Sequence, residues 1–304
     1  MGRAVMEPRF LEIDCAGPAG PHRMVVAEYG DPANRDVVIC VHGLTRVSDD
    51  FGPLAQALCS RYRVLCPDVA GRGRSEWLRD PTQYQIGQYA LDMGAMAHAL
   101  ELPAVHWVGT SMGGLIAMIL GGSLDEEGRP RRPLLRSLVL NDVGAVVLGS
   151  ALDRIGRYLG VNPFFPTLGL AKAAVESIFA AFGHHTPDEW DLLSRAVLRQ
   201  MDGGWRFHYD PALAVPFKQG VEANGGHAQD IDLWALYDEI RCPTLLIRGA
   251  LSDLLSEEVA RQMTQRGPRA SLVTLEGVGH APSLLKADQI ALVSGFIDQH
   301  NSPL

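Results

Sequence analysis

Short apolar runs and longer amphipathic segments alternate along the first half of the chain. Residues 37–41 are five consecutive apolar residues, the pattern of a strand that is buried on both faces of a parallel sheet. Similar runs occur at residues 24–29, 63–67, 104–108 and 135–140. Segments of helical length lie between them, at residues 51–58, 84–100 and 114–120. This alternation predicts an α/β fold with a mostly parallel sheet and helices on both faces.

The alternation stops after residue 144. Residues 145–235 are helical or irregular in pattern, and strand-like runs return at residues 244–249 and 271–275. We therefore predict a core made of residues 1–144 and 236–304, with a helical lid of residues 145–235 over the carboxyl edge of the sheet. Aromatic residues of the lid could roof an apolar pocket for a small or medium substrate, or form the lid's own core: Phe164, Phe165, Phe182, Trp190, Trp205 and Tyr209.

Composition narrows the class of protein. The 304 residues are 47% hydrophobic and 20% charged, which is typical of a globular protein with a sizeable core. A net charge of −8 argues against nucleic acids and anionic membranes as partners. Residues 1–10 lack the apolar stretch of a secretory signal, so we predict a cytoplasmic protein. The pattern does not indicate an oligomeric state.

Cofactor and metal signals are weak. The five cysteines form no C-x-x-C pair, and no H-E-x-x-H motif occurs. Cys40 and Cys66 lie inside apolar runs and are interpreted as buried side chains. We therefore expect no disulfide framework, metal or cofactor.

The most informative motif is Gly109-Thr110-Ser111-Met112-Gly113, which fits the pattern G-x-S-x-G. It follows a strand-like run and precedes a helix-like one, so Ser111 would occupy the apex of a sharp, strained turn. A Cβ atom at Gly109 or Gly113 would collide with the neighbouring strand or helix. This context predicts a nucleophilic serine.

A serine nucleophile needs a base and an acid that orients it. His280 fits the base, because it lies in a turn after the last strand-like run and before a helix. Two aspartates follow strands: Asp253, beyond residues 244–249, and Asp142, directly after residues 135–140. We select Asp253 as the acid, keep Asp142 as the second choice, and expect Asp142 otherwise to support the floor of the site.

Donors for an oxyanion are expected on both sides of the serine. We assign the backbone amides of Met112 and Leu44, since Gly43 lets the loop after residues 37–41 turn inward. His42 is interpreted as a structural hydrogen-bonding residue. Arg46 could meet an acidic substrate group or pair with a nearby aspartate, and we favour the pair.

These motifs, with the Asp68-Val69-Ala70-Gly71-Arg72-Gly73-Arg74-Ser75 loop, resemble the α/β-hydrolase fold superfamily, and within it the serine carboxylesterase-like members. In this loop an arginine is often expected before Gly71, and alanine stands there instead. The resemblance implies an eight-stranded sheet with a lid inserted after the sixth strand. It also implies that Ser111, Asp253 and His280 form the triad. For Arg72 and Arg74 we favour a structural role over anion binding.

The sequence therefore predicts a serine hydrolase that cleaves a carboxylic ester or lactone through an acyl-serine intermediate. Alternatives on the same triad are a carbon–carbon hydrolase acting on a ring-cleavage diketone and a cofactor-free perhydrolase. A receptor for a small ligand that keeps the pocket without catalysis is a further alternative. Dehalogenase and epoxide hydrolase chemistry is disfavoured, since both normally place an aspartate where Ser111 stands.

Overall fold

The computed structural model of the chain describes residues 6–124, 127–129, 131–201 and 203–301. The outermost residues of the predicted core, 1–5 and 302–304, lie outside this part. The described strands are β1 (Arg9–Cys15), β2 (His22–Tyr29), β3 (Val37–Val41), β4 (Arg63–Asp68), β5 (Val105–Thr110), β6 (Leu135–Asn141), β7 (Val146–Val147), β8 (Leu198–Met201), β9 (Gly204–Phe207), β10 (Ile231–Asp232), β11 (Thr244–Gly249) and β12 (Ser271–Leu275).

Helices separate most of these strands. The described helices are α1 (Gly52–Leu58), α2 (Ile86–Ala99), α3 (Met112–Gly122), α4 (Gly149–Tyr158), α5 (Leu168–Ile178), α6 (Pro187–Val197), α7 (Ala214–Ala223), α8 (Trp234–Tyr237), α9 (Glu257–Met263) and α10 (Ala287–Gln299). The chain also forms short 3₁₀ turns at residues 48–51, 81–83, 180–182 and 211–213.

Eight strands form the main sheet, in the order β1-β2-β4-β3-β5-β6-β11-β12. β2 is antiparallel to β1 and to β4, and the other neighbours are parallel. The predicted mostly parallel sheet of eight strands is therefore confirmed. Parallel strands present their carboxyl ends at one edge, and the residues that follow β3, β5, β6 and β11 meet there.

Both faces of the sheet are covered by apolar side chains. Along β3, Val37, Ile39 and Val41 belong to one buried cluster, and Val38 and Cys40 belong to the other. This alternation explains why a fully covered strand has an unbroken apolar run. Cys40 and Cys66 are buried, as predicted, and both are free thiols. Among the residues that the structure describes, no helix is both long and apolar enough to cross a membrane.

The segment between β6 and β11 adds no strand to the main sheet, and we call its residues 145–235 the cap. Besides helices α4 to α7, the cap contains two small antiparallel sheets, β7 with β10 and β8 with β9. The sequence pattern did not predict these sheets, since strands of two to four residues are too short to show an alternation.

The cap is tied to the core at Asp210. The Tyr84 hydroxyl donates to the Asp210 carboxylate (2.6 Å), and the Asp210 amide donates to the Gly71 carbonyl oxygen (2.8 Å). Gly71 belongs to the loop after β4, so the cap is anchored beside the carboxyl edge of the sheet.

Candidate active site

Ser111 lies between β5 and α3 with φ 52° and ψ −115°, in the left-handed region that a side chain rarely adopts. A Cβ atom at Gly113 would lie 2.1 Å from the Val41 carbonyl oxygen in β3. A Cβ atom at Gly109 would lie 2.5 Å from the Gly113 backbone. The predicted collisions with a strand and a helix are therefore present, and the two glycines allow the tight turn that exposes Ser111.

His280 lies in the loop between β12 and α10 and meets the serine. Its Nε2 atom is 2.9 Å from the Ser111 Oγ atom, within hydrogen-bond distance. Its Nδ1 atom is 2.8 Å from an Asp142 carboxylate oxygen. The structure thus brings together two of the three side chains predicted as the triad, and the carboxylate comes from Asp142.

The assignment of Asp253 was wrong. Its carboxylate accepts two hydrogen bonds from Arg154 of the cap, and its side chain is 49% exposed. Asp142 instead is fully buried. Its Oδ1 atom accepts from the Gly249 amide (2.8 Å), and its Oδ2 atom from the Ser252 hydroxyl (2.6 Å) as well as from His280 Nδ1.

Sheet order explains why Asp142 reaches the histidine. β6 lies between β5, which leads to Ser111, and β11. The Ser111 amide donates to the Asn141 carbonyl oxygen (3.0 Å), so residue 142 starts next to the nucleophile. Asp142 also has a positive φ of 55°, which turns the chain sharply after β6. Ser252, which sequence reasoning did not select, occupies the β11 loop position that faces the acid.

We call residues 42–46 the oxyanion loop, because Leu44 is a proposed oxyanion donor, and His42 holds this loop in place. The Val69 amide donates to His42 Nε2 (3.0 Å), so Nδ1 carries the proton and donates to the Gly43 carbonyl oxygen (2.7 Å). The Arg46 amide donates to the same oxygen (3.1 Å). In a trans peptide the N–H group points away from the C=O group, so the Leu44 amide points away from the His42 ring and the Arg46 amide. An added Cβ atom at Gly43 would lie 3.6 Å from the Ser111 Cβ atom.

Burial lowers the pKa of His42 from 6.5 to about 3, so the ring is neutral. The neutral ring can accept at one nitrogen and donate at the other, as these contacts require. The structural role predicted for His42 agrees with this geometry.

Arg72 lies behind the same loop and is fully buried. Its guanidinium donates to the Leu44 carbonyl oxygen (2.8 Å) and reaches the Met112 sulfur (3.4 Å). It also donates to the Ala70 carbonyl oxygen (2.6 Å) and the Tyr89 hydroxyl (2.8 Å). All of these acceptors are neutral. Arg72 therefore joins the oxyanion loop to the residue that follows the nucleophile.

Arg46 does not face the substrate side. It makes a two-point ion pair with Asp50 (2.7 and 2.6 Å) and donates to the Leu193 carbonyl oxygen of the cap (3.1 Å). The favoured pairing with an aspartate is therefore present. Arg74 pairs with Asp49 and contacts Asp68.

A cavity of about 370 Å³ opens over Ser111, between the core and the cap. Leu44 and Met112 line it on the core side, and Ile155, Leu213 and Phe217 are among the apolar cap residues that line it. Of the six cap aromatics predicted as a possible roof, none is among the described residues that line this cavity. Several pack instead on other aromatic rings of the cap, such as Phe165 on Phe207 and Tyr209 on Phe207. Tyr209 belongs to the buried core and Phe165 and Trp205 pack against it, whereas Phe164 is 44% exposed.

The geometry supplies the parts of an acyl-transfer site. A hydroxyl, an imidazole and a buried carboxylate form a chain of hydrogen bonds. Leu44 and Met112, whose amides are the predicted oxyanion donors, line a cavity that can hold a small apolar molecule. Among the described side chains, only Asp142 and Ser111 form hydrogen bonds with His280.

The chain is similar to known hydrolases. Residues 38–291 match the alpha/beta hydrolase family. The chain is 46% identical over 294 residues to a 3-hydroxybutyrate-oligomer hydrolase of Cupriavidus necator, covering 95% of this chain and 97% of the relative.

Solved structures show the same fold. A putative hydrolase from Rickettsia typhi superposes with a TM-score of 0.85 at 29% identity, over 96% of this chain and 99% of the other. An alpha/beta hydrolase from Novosphingobium aromaticivorans gives a TM-score of 0.82 at 33% identity, over 98% of this chain and 100% of the other. The resemblance noted in the sequence and the prediction of a serine ester hydrolase are confirmed at this level. The chain belongs to the alpha/beta hydrolase family.

Proposed function

We propose that the chain hydrolyses short aliphatic oligoesters of the 3-hydroxyalkanoate type, with Ser111, His280 and Asp142 as its triad. The observation that supports the triad most directly is the continuous hydrogen-bonded path from Ser111 Oγ through His280 to the buried Asp142 carboxylate. The substrate class is supported by the 46% identity to a 3-hydroxybutyrate-oligomer hydrolase.

In the first half-reaction Ser111 Oγ attacks the ester carbonyl carbon while His280 Nε2 takes the hydroxyl proton. Asp142 keeps the histidine Nδ1 atom protonated and stabilises the imidazolium. The amides of Leu44 and Met112 donate to the oxyanion, a contribution of about 3 kcal/mol per donor. The tetrahedral intermediate collapses, the carbon–oxygen bond to the alcohol breaks, and the imidazolium gives its proton to the leaving oxygen.

In the second half-reaction His280 takes a proton from water, and the hydroxide attacks the acyl-serine carbonyl. The carboxylic acid leaves and Ser111 regains its proton from His280. No further reactant is needed, since water supplies both the hydroxyl of the acid and the proton of the alcohol.

The cavity suits this substrate class. Its volume of about 370 Å³ is near the lower end of the range for small-molecule sites. Leu115, Val143 and Ile155 give it an apolar wall that fits methyl and methylene groups.

The experiment is hydrolysis of the 3-hydroxybutyrate dimer and trimer by the purified chain, followed by liquid chromatography. We expect turnover that Ser111→Ala abolishes and that the control Ser271→Ala, an exposed serine in β12, retains. A second measurement is the intact mass of the protein mixed with p-nitrophenyl butyrate, in which a butyryl adduct on Ser111 is expected. Full activity of Ser111→Ala would contradict the proposed nucleophile.

Turnover of p-nitrophenyl butyrate without turnover of the oligomers would contradict the proposed substrate class while leaving the triad in place. The two parts of the proposal can therefore fail separately.

A further inference from the structure

The cavity over Ser111 has few groups that could hold a charged substrate. Among the described residues that line it, none is a lysine or an arginine. The Tyr84 hydroxyl is already used, because it donates to Asp210 (2.6 Å) and accepts from the Leu78 amide (2.9 Å). A carboxylate placed inside would therefore lose its hydration without gaining a cationic partner.

Asp230 is the single charged side chain in the described lining. It lies just before β10 on the cap, and its carboxylate accepts a hydrogen bond from the Gly149 amide (2.7 Å) at the start of α4. Asp230 and its neighbours Asn224 and Gln229 are exposed, and all three line the cavity on the cap side. The lining therefore carries one negative charge in addition to its lack of cations.

The chemistry of a 3-hydroxyalkanoate chain determines which end of the substrate suits this cavity. In such a chain each ester joins the carbonyl of one unit to the hydroxyl of the next. The free hydroxyl end always belongs to the acyl portion, and the ionised carboxylate end always belongs to the leaving alcohol. Only the acyl portion is uncharged.

We propose that the acyl portion fills the cavity, hydroxyl end first, while the carboxylate end of the leaving portion stays outside, and that Asp230 is a specificity-determining residue that disfavours anions in the cavity. This inference rests on the proposed function, since it concerns how a substrate of that class is oriented on Ser111. It also predicts that the acyl-enzyme intermediate carries no charge in the cavity.

The experiment compares dimers that contain a single ester bond. The reference is the 3-hydroxybutyrate dimer capped as its N-methylamide, which is neutral. The second compound is the free-acid dimer, with its charge on the leaving portion. The third is the N-methylamide dimer whose hydroxyl carries a carboxymethyl ether, with its charge on the acyl portion, and its neutral control carries a 2-methoxyethyl ether. The value of kcat/KM is measured for each by chromatography of the products.

We expect the free acid to be hydrolysed within about tenfold of the neutral reference, because its charge remains in water. We expect the carboxymethyl ether to be at least about 100-fold poorer than its methoxyethyl control, because its carboxylate must enter the apolar cavity. Asp230→Asn keeps the side-chain oxygen that accepts from Gly149 and removes the charge. It should reduce the penalty on the carboxymethyl ether about fivefold, the effect of one like charge at about 4 Å in water. Asp14→Asn, an exposed charge change on β1, should not alter that penalty.

A larger penalty for the free acid than for the carboxymethyl ether would overturn the proposed orientation, and so would equal penalties. An unchanged penalty in Asp230→Asn would overturn the role of Asp230. If neither the free-acid dimer nor the neutral reference is hydrolysed, the proposed function fails, and that outcome is distinct from the other two.

Discussion

Neutralising Asp142 and Asp253 one at a time tests which of these two aspartates, after strands β6 and β11, is the acid of the triad. In Asp142→Asn the amide group meets three donors: the Gly249 amide, the Ser252 hydroxyl and His280 Nδ1. Its single oxygen cannot accept from all of them. An NH₂ group facing Nδ1 would force the histidine into the tautomer that is protonated at Nε2, which cannot take the Ser111 proton.

The expected loss in kcat is about 10⁴-fold, the size known for neutralising the acid of a Ser-His-Asp triad. The donors left without an acceptor should also lower the free energy of unfolding by about 1–3 kcal/mol. Asp253→Asn removes only an ion pair with Arg154 whose side chains are 49% and 42% exposed. Such a pair contributes about 0–1 kcal/mol to the stability, so kcat should stay within about twofold of the wild type.

The assay is the initial rate of p-nitrophenyl butyrate hydrolysis, with urea unfolding of each variant to show that the folded protein is being measured. Equal losses in the two variants would refute the reasoning, as would a folded Asp142→Asn protein that keeps more than about a tenth of the wild-type kcat. A loss of activity confined to Asp253→Asn would show that Asp253, in the loop after β11, is the acid of the triad.

Three further predictions follow from contacts around the site. Ser252→Ala removes a hydroxyl that donates to Asp142 (2.6 Å), so in steady-state assays kcat should fall about tenfold and KM should change less than twofold. An unchanged kcat would show that the hydroxyl does not position the acid. Gly113→Ala would place a Cβ atom 2.1 Å from the Val41 carbonyl oxygen, and we expect a loss of more than about 3 kcal/mol in the free energy of unfolding, or no folded protein; a wild-type urea midpoint would contradict this. Burial lowers the pKa of His42 from 6.5 to about 3, so the stability that the neutral ring contributes is complete above pH 6.5 and is lost as the pH falls toward 3. Between pH 6.5 and 5 the loss amounts to about 2 kcal/mol, and His42→Gln should remove it from the pH dependence of urea unfolding. Parallel pH curves for the two proteins would contradict a neutral buried ring.

Much of the fold could be predicted from the sequence because its strands are covered on both faces. The run at residues 37–41 coincides with β3, and the run at 244–249 coincides with β11. β1 was not predicted individually, because it lies at the edge of the sheet and several of its residues are exposed. The boundaries of the cap as a separate unit, residues 145–235, stay a prediction.

The candidate nucleophile and base could be predicted because local signals mark them. Ser111 lies between two glycines whose missing side chains make the turn possible, and His280 lies in a loop after the last strand. The acid could not be assigned in this way. Asp142 and Asp253 both follow strands, and the choice depends on how far each loop runs toward the solvent. Asp253 lies four residues beyond β11, far enough for its side chain to reach Arg154 of the cap.

The residues that line the cavity over Ser111 could not be predicted from the sequence either. Aromatic residues of the cap have the right chemistry for a pocket, but rings gain as much by packing on one another. Phe165 and Tyr209 do so through Phe207. The apolar lining on the cap side includes aliphatic residues such as Ile155 and Leu213, which no motif distinguishes from ordinary core positions.

Arg72 has an electrostatic consequence for the whole site. Its guanidinium is fully buried, and the acceptors of its described hydrogen bonds are all neutral. A positive charge in a medium of low polarisability generates a potential that extends several ångströms with little screening. That potential is centred beside the Leu44 carbonyl group and the Met112 side chain, and it acts whether or not a ligand is present. An oxyanion at the proposed donors Leu44 and Met112 would therefore form close to a fixed positive charge, whereas a carboxylate deeper in the cavity would have no such partner in the described lining.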